Sequence, residues 1–502
     1  MRYIFIAAAL ILAACASPPA PASVEPTTIT ITGEITRADH QTYRELPFTV
    51  PPGTHRITID FNYDKENRTV IDLGLRDPQG QRGWSGGNKS HIEVSDSMAT
   101  PSYKPGAIQP GEWKLILGVP NIREGQTSPY KADITVSPAP APAKSQSAYA
   151  PSTIAPVRGW RRGDFHMHTA HSDGSCDVAD ARVPCPSIHT FEAARDANLD
   201  FIAITDHNTI TQLADITAQQ AAFPKTLLIP GTEITTFNGH ANVIGNTDFL
   251  DFQLGSLRLP TLSKLFDQAD ATGAFVSVNH PGLPSGEICM GCGWTVKDTD
   301  WSRVTAIEVA NGSSLRTSGP AAGLRFWDNL LQQGHRLTAI GGSDNHDATD
   351  RAGAKQPPIG YPTTAVYSSE LSAKGVIEGI KSGRVFIDLA GLPEAWIDMG
   401  GYAPNQRSAN MGGEIKLSDG EPANIIISRH ASPAGSYVVI VSHNLTTSAL
   451  ASPGPSPLER VEVMQTTVKL NPGAASGYIR AEIRDAADKI LMIGNPIYVS
   501  AR

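Results

Sequence analysis

Between residues 165 and 346, short apolar runs end repeatedly in a histidine or a carboxylate. Phe165-His166-Met167-His168 comes first, followed by Ile204-Thr205-Asp206-His207 and Pro230-Gly231-Thr232-Glu233. Gly239-His240, Val278-Asn279-His280-Pro281 and Gly342-Ser343-Asp344-Asn345-His346 complete the series, so that nine of the fourteen histidines fall in this stretch. The runs themselves (Phe201-Ile202-Ala203-Ile204, Leu227-Leu228-Ile229, Phe275-Val276-Ser277-Val278, Ala306-Ile307-Glu308-Val309) alternate with helical stretches at 187–197, 261–271 and 321–333. That βα rhythm implies a mostly parallel sheet or barrel, in which the C-terminal strand ends converge on one face. Residues far apart in sequence then share one pocket.

Histidine with carboxylate, and no cysteine in the set, suits a divalent ion such as Zn, Mn or Fe. In His166-x-His168 the period-two alternation of a strand end puts both imidazoles on one side, and Asp344-x-His346 does the same. The supply of ligands exceeds what one tetrahedral ion needs. A multinuclear cluster is implied, with a bridging carboxylate and a metal-bound hydroxide as nucleophile near neutral pH. Charge adds an exclusion: 41 Lys+Arg against 49 Asp+Glu give a net −8, which argues against a nucleic-acid partner.

The chain around this middle segment has other textures. Arg2 and the apolar run 3–14 read as a signal-peptide core, too short to span a bilayer. Leu12-Ala13-Ala14-Cys15 resembles a bacterial lipobox, which makes residues 1–15 a lipoprotein signal, Cys15 the lipidated N-terminus and 16–26 a Pro-rich tether. The alternative is a secretory signal cleaved at Ala14-Cys15-Ala16. Residues 27–137 alternate in period two between turn signals and predict an antiparallel β-sandwich. A Pro/Ala/Ser linker follows at 138–157, the βα segment occupies 158–392, and strands return in a C-terminal β domain, 393–502.

The ordered set His166-x-His168…Ser172-Asp173-Gly174, Thr205-Asp206-His207, Gly231-x-Glu233, Asn279-His280-Pro281 and Ser343-Asp344-x-His346 resembles the PHP (polymerase and histidinol phosphatase) domain. The resemblance implies an α/β fold, a distorted seven-stranded (β/α) barrel, here flanked by β-sandwich domains, with two to three divalent metals. Carried over position by position, one ion takes His166, His168, Glu233 and Asp344. A second shares Glu233 and adds His240 and His280, and a third takes Asp173, His207 and His346. The stretches Asp72-Leu73-Gly74-Leu75-x-Asp77-Pro78, Gly83-Trp84-Ser85-Gly86-Gly87 and Ala99-Thr100-Pro101 look like exported members of the carbaryl-hydrolase branch.

Asp206 reads as a residue that orients a ligand from outside the cluster. Asn311 and Arg316, after the fifth strand, are candidate substrate contacts. His171 is a pocket or loop residue, and His189 and His335 are structural. Cys176, Cys185, Cys289 and Cys292 form either a four-thiolate zinc site or, in an oxidising periplasm, disulfides of open connectivity that brace the pocket rim. The expected protein is a lipid-anchored, periplasm-facing metallohydrolase of small phosphoesters. Hydrolysis of carboxyl esters, carbamates or amides is the alternative, and an envelope-binding protein with an inert barrel is a third.

Overall fold

The computed structural model describes residues 25–139, 148–317, 319–404, 408–451 and 461–502. Cys15, the signal segment and most of the tether lie outside the described residues. No described helix is long and apolar enough to cross a membrane.

Residues 27–137 fold into two four-stranded antiparallel sheets. One orders Thr27–Thr36, Thr127–Ser137, Arg56–Tyr63 and His91–Ser95; the other orders Tyr43–Val50, Gly111–Asn121, Val70–Asp77 and Gly80–Gly86. The alternation read in the sequence is the burial pattern: Ile57, Ile59 and Phe61 point inward while Thr58 and Asp60 do not. Both inner faces meet around the fully buried Trp113, Leu115 and Leu117.

In the middle segment, strand Gly159–Asp164 pairs parallel with Phe201–Ile204, which pairs parallel with Leu227–Thr236. Phe275–Val278, Ala306–Asn311 and Thr338–Gly342 form a second parallel run. Phe201–Ile204 is buried along its whole length, as a strand covered on both faces must be, hence its unbroken apolar sequence. The two runs are joined antiparallel through Gly239–Ile244, because Thr236 and Gly239 are separated by a two-residue turn, which permits only a hairpin. Strands outweigh helices here, and the helices are short, from the six residues of Gly312–Thr317 to the twelve of Ala321–Gln332.

The ladder does not separate this segment from the C-terminal strands. Gly159–Asp164 also pairs with Thr363–Ser368, that strand with Val385–Asp388, and Val385–Asp388 with Ile490–Gly494. One sheet of fourteen strands results, and a five-stranded sheet including Trp396–Tyr402 and Ala423–His430 lies beside it. At the far edge the chain after Thr338–Gly342 returns to the first strand. Met167 and Asn345 form a parallel bridge, and Asp344 N donates to His166 O at 2.8 Å.

Candidate metal centre

The strand ends converge as the parallel pairing requires. Glu233 is fully buried at the centre. Its Oε2 lies 3.3 Å from His166 Nε2, 3.5 Å from His168 Nε2 and 2.9 Å from His207 Nδ1. Its Oε1 lies 3.4 Å from His240 Nδ1 and 3.5 Å from His280 Nε2. Asp344 Oδ1 stands 3.3 Å from His166 Nε2 and 3.0 Å from His168 Nε2. Asp173 reaches His346 Nε2 at 3.4 Å and His207 Nε2 at 3.7 Å. All nine residues expected from the motifs are therefore in one neighbourhood. His168 differs from expectation in facing two ways: besides Glu233 and Asp344 it joins Asp173, His207 and His346 as a group that could hold an ion.

The electrostatics follow from burial and neighbours. Burial disfavours the charged imidazole of His166, yet Asp344, Glu308 and Glu233 outweigh it and hold the ring well above its usual range. Against the same burial, Glu233 and Asp173 hold His207 up to about 9, and Asp173 with Asp344 holds His346 up to about 10. His168 goes the other way, to about 4, through burial and the neighbouring His346 and His207. Burial also opposes ionisation of Glu233, but His166 and His207 pull its carboxyl well below the usual range. Two members have left-handed backbone, Asp344 with φ 55° and His280 with φ 29°, a conformation uncommon outside glycine and concentrated at functional sites.

Outer atoms are held as metal-site histidines usually are. His240 Nε2 meets Met290 O at 3.0 Å, and His280 Nδ1 meets Cys292 O at 2.9 Å. Asp206 accepts from Thr169 N at 2.7 Å, Thr169 Oγ1 at 2.8 Å and Ser172 Oγ at 2.7 Å, so it shapes the turn that presents Asp173. Asn311 donates to Asp344 Oδ2 at 3.2 Å. Arg316 is not brought to the group: it is exposed and donates to Ala354 O at 3.1 Å. His171 also turns away, toward Thr211 Oγ1 at 2.7 Å and Asp215 at 3.1 Å.

Sequence reasoning missed Glu308, whose Oε1 meets His166 Nδ1 at 2.9 Å. A Cβ on Gly342 would lie 2.5 Å from that same oxygen, so the glycine there is sterically required. It also missed Asp164, which ties three segments together through the amides of His166, Ser343 and Gly360. The cysteines pair locally, Cys176 with Cys185 and Cys289 with Cys292, with Cα–Cα distances of 4.8 and 5.6 Å. A four-thiolate zinc site is not what they form.

No family model matches the chain, and no curated protein matches it. Among solved structures the chain is similar to a two-domain protein from Bacteroides vulgatus ATCC 8482 containing a predicted PHP-like metal-dependent phosphoesterase. That likeness has 19% identity, covers 72% of this chain and 100% of that one, and has a TM-score of 0.39. A candidate metal-dependent phosphoesterase from Bifidobacterium adolescentis ATCC 15703 is also similar, at 16% identity over 39% of this chain and 92% of that one, TM-score 0.27. Likenesses of this size assign no family, and the side chains themselves carry the chemistry.

Proposed function

We propose that the chain is a metal-dependent hydrolase of PHP type, a distorted (β/α) barrel between two β domains that holds two to three divalent ions. The observation that carries this reading is a set of orphaned ligand atoms. His166 Nε2, Glu233 Oε2 and Asp173 Oδ1 are buried and carry no hydrogen bond. They face one another and neighbouring histidines only across ion-pair distances, and divalent cations among them would satisfy all three. One ion would be held by His166, His168, Glu233 and Asp344, a second by Glu233, His240 and His280, and a third by Asp173, His207 and His346.

Bound there, such ions supply Lewis acidity and lower the pKa of water, so that a nucleophile is available near neutral pH. The chain's own residues prepare that chemistry. Glu308 fixes the ring of His166 from its Nδ1 side, and the Met290 and Cys292 carbonyls hold a proton on the outer nitrogens of His240 and His280. Asn311 steadies Asp344, and Asp206 steadies the turn before Asp173. Phosphoesters are the leading substrate class, since their transition state spreads negative charge that several cations match.

One observation favours a second reading, hydrolysis of carboxyl esters, carbamates or amides as in the carbaryl-hydrolase branch. The arginines near the motifs are engaged elsewhere: Arg182 with Asp347, Arg195 with Asp196, Arg316 with Ala354 O. The leader supports attachment to a bacterial envelope through lipidated Cys15, facing the periplasm. Purified protein, loaded with Mn or Zn and offered nitrophenyl phosphates, esters and carbamates, distinguishes these readings. Phosphate turnover supports the first and ester turnover alone the second. Absence of both, with under one metal per chain, returns the inert envelope-binding protein.

A further inference from the structure

We propose that the N-terminal sandwich completes the substrate site, with the Lys89 ammonium as the group that receives an anionic part of the substrate; this rests on the hydrolase reading above. Lys89 lies on the turn between strands Gly80–Gly86 and His91–Ser95. Its Nζ donates to Ser102 Oγ and to Ser172 O, both at 3.0 Å. Ser172 is the chain neighbour of Asp173, and its hydroxyl donates to Asp206. The ammonium therefore sits against the turn that carries a candidate ligand, beside the Asp173, His207 and His346 group. An ammonium has three protons, and these two bonds leave one N–H for a ligand.

The sandwich is shaped to hold this turn. Gly86 has φ +57°, which glycine adopts without strain. The Gly87 amide donates to the Asp72 carboxylate, and a Cβ on Gly87 would stand 3.4 Å from Asp72 Oδ1. Asp72 itself lies in the field of His207. The stretches around Asp72 and Gly83-Trp84-Ser85-Gly86-Gly87, unexplained by the barrel chemistry, thus build the part of the sandwich that carries Lys89 and lies within electrostatic reach of His207. That part is anchored: Ser102 N donates to Thr211 Oγ1 at 3.1 Å, and the Trp84 ring packs on Phe252 with centroids 4.7 Å apart. Lys89 supplies the cation that Arg182, Arg195 and Arg316 do not.

The test titrates inorganic phosphate into the full, Mn- or Zn-loaded chain by calorimetry. It compares the wild type with Lys89→Gln, Lys89→Arg and Ser102→Ala, and counts metal in each. All four are expected to retain metal. Lys89→Gln should weaken phosphate binding about tenfold or more, Lys89→Arg should recover most of it, and Ser102→Ala should stay within about twofold. In turnover, Lys89→Gln should raise KM for a nitrophenyl phosphate, and Lys89→Arg should restore most of it. Equal phosphate affinity in wild type and Lys89→Gln, at equal metal content, overturns the proposal. An equal loss in Ser102→Ala overturns it too, since Lys89 would then be only a tether between domains. A wild type that takes up no metal overturns the hydrolase reading, and this proposal with it.

Discussion

Glu308 is 2% exposed in a strand whose other members include Ala306, Ile307, Val309 and Ala310. A carboxylate placed there is costly unless its oxygens are used. Both are: Oε1 faces His166 Nδ1, and Oε2 accepts from His280 N at 2.9 Å and Asn311 Nδ2 at 3.2 Å. Glu308 therefore decides which nitrogen of His166 faces Glu233. Glu308→Gln should leave the circular dichroism spectrum intact and weaken metal binding about ten- to a hundredfold; unchanged affinity would show that His166 orients itself. Asp344 and His280 hold left-handed backbone that costs on the order of 1–3 kcal/mol each, which metal binding is expected to offset. His166→Ala and Asp344→Ala should each abolish turnover, and a fully active variant of either contradicts the ligand map. Most of the nine motif residues were legible because they follow an apolar run, whereas Asp173 and His240 do not and rest on the ordered family resemblance. Glu308 left a signal as well, a charge interrupting Ala306-Ile307-Glu308-Val309, but the strand rhythm absorbed it.

The loop bounded by Cys289 and Cys292 offers its Met290 and Cys292 carbonyls to the two histidines that share Glu233 Oε1. Within it, a Cβ on Gly291 would come 2.1 Å from Thr236 O, so the loop fits against the hairpin in one way. Replacing Cys289 and Cys292 together by alanine should free this loop and lower affinity for one ion about tenfold or more, read by competitive metal titration. Equal affinity in the double variant would mean that the carbonyls stay in place without the disulfide. Strand existence was readable from period-two alternation and unbroken apolar runs, and helices from the longer stretches that alternate with those runs. Partner choice was not. The antiparallel Gly239–Ile244 strand and the pairing of Val385–Asp388 with Ile490–Gly494 are long-range registers, and these depend on which faces end up buried rather than on any local pattern.

Across the whole molecule, the sandwich is docked onto the strand-end face by contacts of unequal weight. Trp84 is 4% exposed and shares a core with Ile234, Val243 and Phe252, so Trp84→Ala should cost about 3–5 kcal/mol in chemical denaturation. The Arg123–Glu287 pair has two 2.7 Å hydrogen bonds but exposed side chains, and Glu287→Ala should change stability by no more than about 1 kcal/mol. The cluster also links metal to pH. In the metal-free chain His207 and His346 rise from 6.5 to about 9 and about 10. That raised affinity for protons stabilises the metal-free fold fully below pH 6.5 and fades as pH climbs through 9 and 10. Ions must displace those protons, so binding at pH 7 should release protons, and apparent affinity should increase toward pH 9. Calorimetry in buffers of different ionisation enthalpy reads the release, and a pH-independent affinity would contradict the cluster's electrostatics. The most direct measurement of the central claim is metal counted per chain by mass spectrometry after loading with Zn or Mn and removal of the excess. Two to three ions in the wild type, with at least one lost in Asp344→Ala, are expected; fewer than one in the wild type would contradict the account.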